Sequence, residues 1–314
     1  MREQYGCGKG DIVLDQGDSR DKAFNSNEQK RGYLNSDFEY FHLKDMKNIQ
    51  FEYHYHDFSK IIIFISGNVT YLIEGKAYRL KPWDILFVGS NEIHKPMIDA
   101  TVPYDRIAIW VKPGFLENHS RESDMLTCFH LTAERNVNLL RLEPNEIKYV
   151  QSLLLRLEEA CKAGEFGSEV LKNAIFLQLL VILTRELLGK SGAKEIGDIV
   201  TDVNIQKILN YINANISADL SVETLADRFF LNRYHLMHKF KQQTGFTVHG
   251  FVLQKRLLKA DSLIRSGMPA AHACESSGFN DYSNFVRAYK KLFGCSPKRR
   301  IGKFISRQTD QIDI

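Results

Sequence analysis

The sequence predicts an α+β chain of two folded parts: a small β-sandwich or barrel ending in a helical hairpin, then an all-α final third. Three observations predict this. Short apolar runs of strand character recur from about Phe38 to Val111, the apolar period turns helical after Pro144, and charge divides unequally near residue 200. At 314 residues, 44% hydrophobic and 25% charged, the chain is long and apolar enough to build a core in each part.

The first 35 residues are polar and rich in Gly, Asp, Asn and Lys, the composition of a mobile leader. The strands then read FEYHYHDF, KIIIFIS, NVTYLI, an EGK turn at Glu74 to Lys76, AYRLK, PWDILFV and RIAIWV, with no helical period between them. In YHYHDFSK, which runs from Tyr53 to Lys60, His54 and His56 stand two apart. A strand there sends both imidazoles to one face.

Ile147, Val150, Leu154 and Leu157 form one helical stripe. After the break at Gly164 to Gly167, a second apolar segment runs from Val170 through Ile175, Leu179, Ile182 and Leu183 to Leu187. This hairpin has apolar surface to pack on the β-rich part or on a second copy of the chain. It closes a domain of residues 36–188, and GKSGAKEIGD within 189–200 reads as a flexible linker.

From Thr201 onward the chain holds 17 of its 42 Lys and Arg but only 9 of its 38 Asp and Glu, net +8 against −4 for the part before. A basic final third implies a polyanionic partner. Ile205, Ile208, Leu209 and Ile212 mark one amphipathic helix. Ser221 caps SVETLADRFF, with Val222, Leu225, Ala226 and Phe229 inward, and Asn232 caps NRYHLMHKFK. On that helix Leu236 and Phe240 face inward, leaving Arg233, Tyr234, Met237, His238 and Lys241 outside. A short helix, tight turn and second helix with a polar, cationic outer face suits insertion into a DNA major groove.

The arrangement recurs. PAAHACESSGF and NDYSNFVRAYKK give a helix opening at Pro269, a turn at Gly278, an Asn280 cap, inward Phe285 and Tyr289, and outward Tyr282, Ser283, Asn284, Val286, Arg287 and Lys290. Between the units, Val248 to Ser266 reads as one helix of about 28 Å, near the ~34 Å of a DNA turn. The two outer faces therefore suit successive major grooves on one side of double-stranded DNA.

Five scattered cysteines (Cys7, Cys128, Cys161, Cys274, Cys295) without a C-x-x-C pair imply a reduced chain. The apolar runs fall short of the ~20 residues that span a bilayer, and MREQYGCGKGD lacks an apolar signal core. The expected location is the cytoplasm, with no membrane partner.

LADRFFLNRYHLMHKFKQQTG and SGFNDYSNFVRAYKKLFGCSP, in this order and spacing, resemble the signature of the AraC family of bacterial transcription regulators over about Ile205 to Arg300. The resemblance implies a DNA-binding domain of two helix-turn-helix units at 201–305, in which Tyr234, Met237 and His238, then Tyr282, Ser283, Asn284 and Arg287, reach bases. Arg287 suits guanine O6 and N7, while Lys241, Lys290 and Lys291 suit phosphates. Ala273, Cys274 and Ser277 depart from the family's usual residues in the second unit, as do Arg300 and Ile301 after Pro297.

HYHDFSKIIIFISG, LIEGKAYRLKPWDILFV and NEIHKPM also resemble the cupin-like barrel that many members carry as a sensor. The implied chain is a homodimer, joined through the helical hairpin, that answers a small-molecule effector, most often a carbohydrate, and meets RNA polymerase to activate neighbouring genes. His54, His56, Lys60 and His94 are the expected effector-binding residues. Metal-binding cupins place a Glu where this chain has Lys60, a cation with no lone pair to give, and Trp83 replaces a glycine of their second motif. No metal, cofactor or catalytic residue is therefore expected. Two other readings are a cupin metalloenzyme with a helical tail and a regulator controlled by a partner protein.

Overall fold

The structure, a computed structural model, describes residues 5–6, 34, 36–46, 51, 53–99, 101–135, 137–189, 199–200 and 202–299. These divide into two compact units, one up to Val200 and one after it. The first holds strands β1 (Tyr5–Gly6), β2 (Phe38–Asp45), β3 (Ser59–Ser66), β4 (Val69–Ile73), β5 (Lys76–Arg79), β6 (Ile85–Val88), β7 (His94–Ile98), β8 (Tyr104–Val111), β9 (Leu139–Leu140) and β10 (Ile199–Val200). With them are helices α1 (Pro113–Asn118), α2 (Thr127–Arg135), α3 (Pro144–Lys162) and α4 (Ser168–Gly189).

Two antiparallel sheets form, ordered β1-β2-β8-β3-β6-β9 and β10-β5-β4-β7. Strand β3 explains the layering. Its β-branched residues alternate, so Ile61 and Ile63 join Ile107, Ile109 and Val111 in a core covered by Val150, Leu154, Phe176 and Leu183 of α3 and α4. Ile62 and Phe64 turn the other way and pack with Tyr71, Leu86, Val88 and Tyr104 in the interior of the sandwich. The EGK turn takes positive φ at Glu74 and Gly75, the two-residue loop whose twist matches the β4–β5 hairpin.

The fold departs from the sequence reading in places. FEYHYHDF is not a regular strand: His54 makes an isolated bridge to His94, while the regular strand nearby is β2, paired along its whole length with β8. Helices α1 and α2 were not anticipated, since six and nine residues give too little sequence for a helical period to show. Val170, expected inward, is 73% exposed. Ile199 and Val200 of the expected linker pair with β5, while 190–198 lie outside the described residues. Of the expected leader, Tyr5 and Gly6 pair with β2, and 7–33 lie outside the described residues.

The second unit holds α5 (Val203–Ala214), α6 (Val222–Arg228), α7 (Arg233–Thr244), α8 (Val248–Arg265), α9 (Ala270–Ser276) and α10 (Tyr282–Phe293). Ser221 Oγ accepts from the Thr224 N–H at the start of α6, and Asn232 Oδ1 accepts from Tyr234 and His235 at the start of α7. The cap of α10 is Asp281 and not Asn280: its carboxylate accepts the Asn284 N–H at 2.5 Å. The carboxylate also suits the positive end of the helix dipole. Leu225, Ala226, Leu236 and Phe240 close the first helix-turn-helix, and Phe285 and Tyr289 close the second.

Side chains and one glycine tie the two halves together. Arg256 of α8 donates to the carbonyls of Ile216 and Ala218, and Ser217 Oγ donates to the carbonyl of Ser276. Gly278 takes φ +85°, and a Cβ there would stand 2.8 Å from Ser217 Cα, so the turn requires glycine twice over. Buried Asp261 of α8 accepts from Tyr289 Oη and from Arg265 Nε, which fastens α10 to α8. Among the described residues Cys128, Cys274 and Cys295 are free thiols, and no helix is long and apolar enough to cross a membrane.

Ser277, one of the departures from the family pattern, is fully buried, and its hydroxyl has no partner among the described residues. Burying a hydroxyl without a hydrogen bond is unfavourable. Ser277→Ala is expected to stabilise the second unit by about 1 kcal/mol, read as a higher urea midpoint at unchanged slope; an unchanged or lower midpoint would contradict the assignment.

Candidate functional site

All eleven residues expected at DNA lie exposed in the second unit, on two helices. On α7, Tyr234, Met237, His238 and Lys241 fall at i, i+3, i+4 and i+7 and form one stripe opposite the buried Leu236 and Phe240. Tyr234 is 71% exposed, with the Arg233 guanidinium 5.9 Å from its ring centroid. On α10, Ser283, Arg287 and Lys290 make a second stripe, with Tyr282, Asn284 and Lys291 beside it, opposite Phe285 and Tyr289.

Two contacts refine these faces. Arg287 Nη2 donates to Asn284 Oδ1 one turn earlier, so the guanidinium is held against the helix and aimed outward. Arg233 Nη1 lies 3.4 Å from Glu223 of α6 in an exposed ion pair. It spans the two helices of the first helix-turn-helix, a positioning contact that sequence reading did not reveal. Lys239, also unforeseen, bonds the Asp202 carboxylate at 2.7 Å and ties α7 to the start of α5.

In the sensor unit His54, His56, Lys60 and His94 are all buried. His54 and His94 exchange backbone hydrogen bonds of 3.0 and 2.9 Å, and the His56 carbonyl accepts the Asn91 N–H at 2.7 Å. These bonds bring together three imidazoles whose ring centroids lie 4.4–5.1 Å apart and whose donor nitrogens lie within 4.8 Å of one another. Both histidines of the H-x-H pair thus reach one place although the run is not a strand.

A chain of buried hydrogen bonds positions His94. Asn138 donates to Glu92 Oε2 and to the Phe87 carbonyl while Tyr78 Oη donates to it. The Glu92 carbonyl in turn accepts from His94 Nδ1 at 2.9 Å. That bond fixes the proton on Nδ1 and leaves Nε2, which has no partner among the described residues, with its lone pair. Burial first, then the neighbouring His54 and Lys60, hold the His94 pKa well below the ordinary imidazole range, so the ring stays neutral.

Lys60 lies on the interior face of β3, level with Val88 of β6 and Trp110 of β8. Its Nζ stands 5.0 Å from the Trp110 ring and 5.8 Å from that of Phe58. Burial, and then the charge of Arg106, push its pKa down to about 7. Three imidazoles of this spacing have the donors to hold a borderline divalent ion. The fourth group near them, Lys60, is a competing cation whenever protonated.

The family profile described as an AraC-like ligand binding domain matches residues 39–180, and that described as a helix-turn-helix domain matches residues 225–300. The chain is similar to the HTH-type transcriptional activator RhaS of Escherichia fergusonii, 26% identical over 254 residues that cover 79% of this chain and 86% of the relative. It is also similar to the HTH-type transcriptional activator RhaR of Mannheimia succiniciproducens, 25% identical over 259 residues, 82% and 89% of the two chains. The solved structure of ToxT from Vibrio cholerae matches 85% of this chain and 98% of its own at 14% identity, with a TM-score of 0.32.

The Lys60 pKa has a measurable consequence. From about pH 7 towards the ordinary lysine value of 10.5, the unfolded chain carries a proton that folded Lys60 has lost, so stability rises with pH across this window. Lys76, lowered by burial to about 8, adds a second contribution that begins higher. Denaturant unfolding between pH 7 and about 10 should show this rise, and Lys60→Met should remove the part that starts near pH 7; an unchanged slope would show that Lys60 is not desolvated.

Proposed function

The chain belongs to the AraC family of bacterial transcription regulators, and from that membership we propose how its two units divide the work. It is a sequence-specific DNA-binding regulator with an N-terminal ligand-binding domain and a C-terminal helix-turn-helix domain. The reading proposed beyond this is of a cytoplasmic homodimer that activates neighbouring genes, through RNA polymerase, when a small effector occupies the sensor unit. The relatives' names as transcriptional activators support activation.

The observation that carries the DNA reading is the pair of exposed stripes on α7 and α10, each backed by two buried aromatic or aliphatic anchors. Arg287, braced by Asn284, reads a base, and its two terminal nitrogens match guanine O6 and N7. Tyr234, Met237, His238, Tyr282, Ser283 and Asn284 contribute further base contacts. Lys241, Lys290 and Lys291 grip phosphate, which gives affinity that falls steeply with salt but carries no sequence information. Arg233 supports the first helix-turn-helix through its ion pair with Glu223.

The sensor reading rests on the buried group of His54, His56, Lys60 and His94, beside the rings of Phe58 and Trp110. Polar groups converging between aromatic walls suit a small polar ligand. An effector shifts the regulator only as far as it binds one arrangement better than the other. Dimerisation is assigned to the outer face of α3 and α4, where Tyr149, Leu177, Val181 and Ile182 surround a groove. A helix apolar on both its buried and its outer faces needs a second cover.

Arg287→Ala should lose discrimination at one base position, about 1–3 kcal/mol, while non-specific binding persists. Competition binding against single-base variants of an operator checks this, and uniform weakening on every sequence would reassign Arg287 to phosphate. Val181→Glu should convert the dimer to a monomer in sedimentation equilibrium; an unaltered mass would move the dimer interface elsewhere or remove it.

A further inference from the structure

Lys60 differs from the other buried lysines of the sensor unit in what surrounds it. Lys172 is paired with Glu169 at 2.6 Å, and Lys76 feels the carboxylate of Glu92. Lys60 is only 7% exposed, and among the described residues no carboxylate stands within ion-pair distance of it. Its near neighbours are the ring faces of Phe58 and Trp110, and the charge it feels from Arg106 has its own sign. Arg106 is itself committed, at 2.7 Å, to Asp45. The registers set buried Glu39 across from Trp110 on β2, so one carboxylate lies two strands from Lys60 without closing a pair with it.

A desolvated ammonium is costly unless an anion meets it. A neutral carbohydrate offers hydroxyls, which solvate a cation weakly. A single carboxylate offers one full charge for one full charge, and a charge-assisted hydrogen bond is about twice as strong as a neutral one. Close by, His94 Nε2 is a buried acceptor without a partner among the described residues, and a ligand hydroxyl can supply the hydrogen-bond donor it lacks. The same site therefore suits an anion at one end and a hydroxyl at the other.

We propose that the effector of this regulator is a small hydroxy acid of the sugar-acid class, its carboxylate paired with Lys60 and a hydroxyl donated to His94 Nε2. This rests on the reading of the N-terminal unit as an effector sensor and names the ligand class of that sensor. One ammonium matches a monoanion; a phosphate ester would need further donors, and Arg106 is already engaged.

The test uses the full-length, untagged protein and pairs of probes that differ in the acid group: glucuronate with glucose, galacturonate with galactose, and gluconate with glucitol. Thermal shift ranks them and titration calorimetry measures the best. At least one acid should stabilise the protein while its neutral counterpart does not. Lys60→Met should weaken that acid about 10- to 100-fold, with Lys60→Arg retaining part of the response and Glu39→Gln retaining it in full. Without ligand, Lys60→Met should be at least as stable as the parent, as expected when an unpaired buried charge is removed; a large loss of stability would show that Lys60 has a structural counter-ion and would overturn the proposal. Equal stabilisation by acid and neutral member, or by no acid, overturns it as well, and this comparison needs no variant to fold. Neutral sugars that bind with Lys60→Met unimpaired would leave the sensor reading standing and remove only the acid. A protein that regulates its promoter in cells while no probe binds would remove both.

Discussion

The alternation of side chains along β3 and β8 is the constraint on which the sensor unit depends. Odd-numbered Ile61, Ile63, Ile107, Ile109 and Val111 build the core under α3 and α4, and even-numbered Lys60, Ile62, Phe64, Ala108 and Trp110 face the other sheet. Because the strand period is two, a slip of one residue would drive Lys60 under the helices and turn isoleucines towards the sensor interior. Register is thus held by both cores at once. His54, His56, Lys60 and His94 are buried beside an interior face whose middle is filled by Ile62, Phe64, Tyr71 and Leu86.

A comparable economy governs the DNA-binding unit. Recognition through two faces is useful only if their spacing is stiff, and α8 alone would not provide that. Its buried Asp261 holds α10 through Tyr289, its Arg256 holds the loop after α5, and Gly278 lets the turn of the second helix-turn-helix sit directly on Ser217. These side-chain hydrogen bonds and one close backbone approach join several segments at once, so they support one another's geometry. The outward stripes are largely separate from this frame, though Arg233 also pairs with Glu223 and Tyr282 packs on Phe285.

Much of the architecture was legible in the sequence because it rests on periodicity. The β3 run, the EGK hairpin, the caps at Ser221 and Asn232 and the paired anchors Leu236/Phe240 and Phe285/Tyr289 are local patterns with local causes. The misses are of two kinds. Helices α1 and α2 are too short to carry a period, and Asp281 displaced Asn280 as a cap because both residue types suit that position and only the chain's path decides. The sensor group was partly legible: H-x-H suggested convergence, but by way of a strand, whereas convergence comes from the backbone bridge between His54 and His94, forty residues apart. Nothing local to Asn138 or Glu92 announced that they orient His94.

The Lys60 substitution also changes what the cupin-like frame is suited to do. A carboxylate at that place would complete a four-donor set with the three imidazoles, and an ion bound there could activate a substrate. A lysine there reverses the sign of the local field whenever it is protonated, and burial holds its pKa down to about 7. The frame, the backbone bridge and the neutral His94 are kept, and under the proposed reading the charge that meets Lys60 is negative. A site that binds and does not transform suits a regulator, because the whole binding free energy is then free to favour one arrangement of the protein over another. Reaction chemistry and signalling thus differ here by a single side chain placed on the inward face of β3.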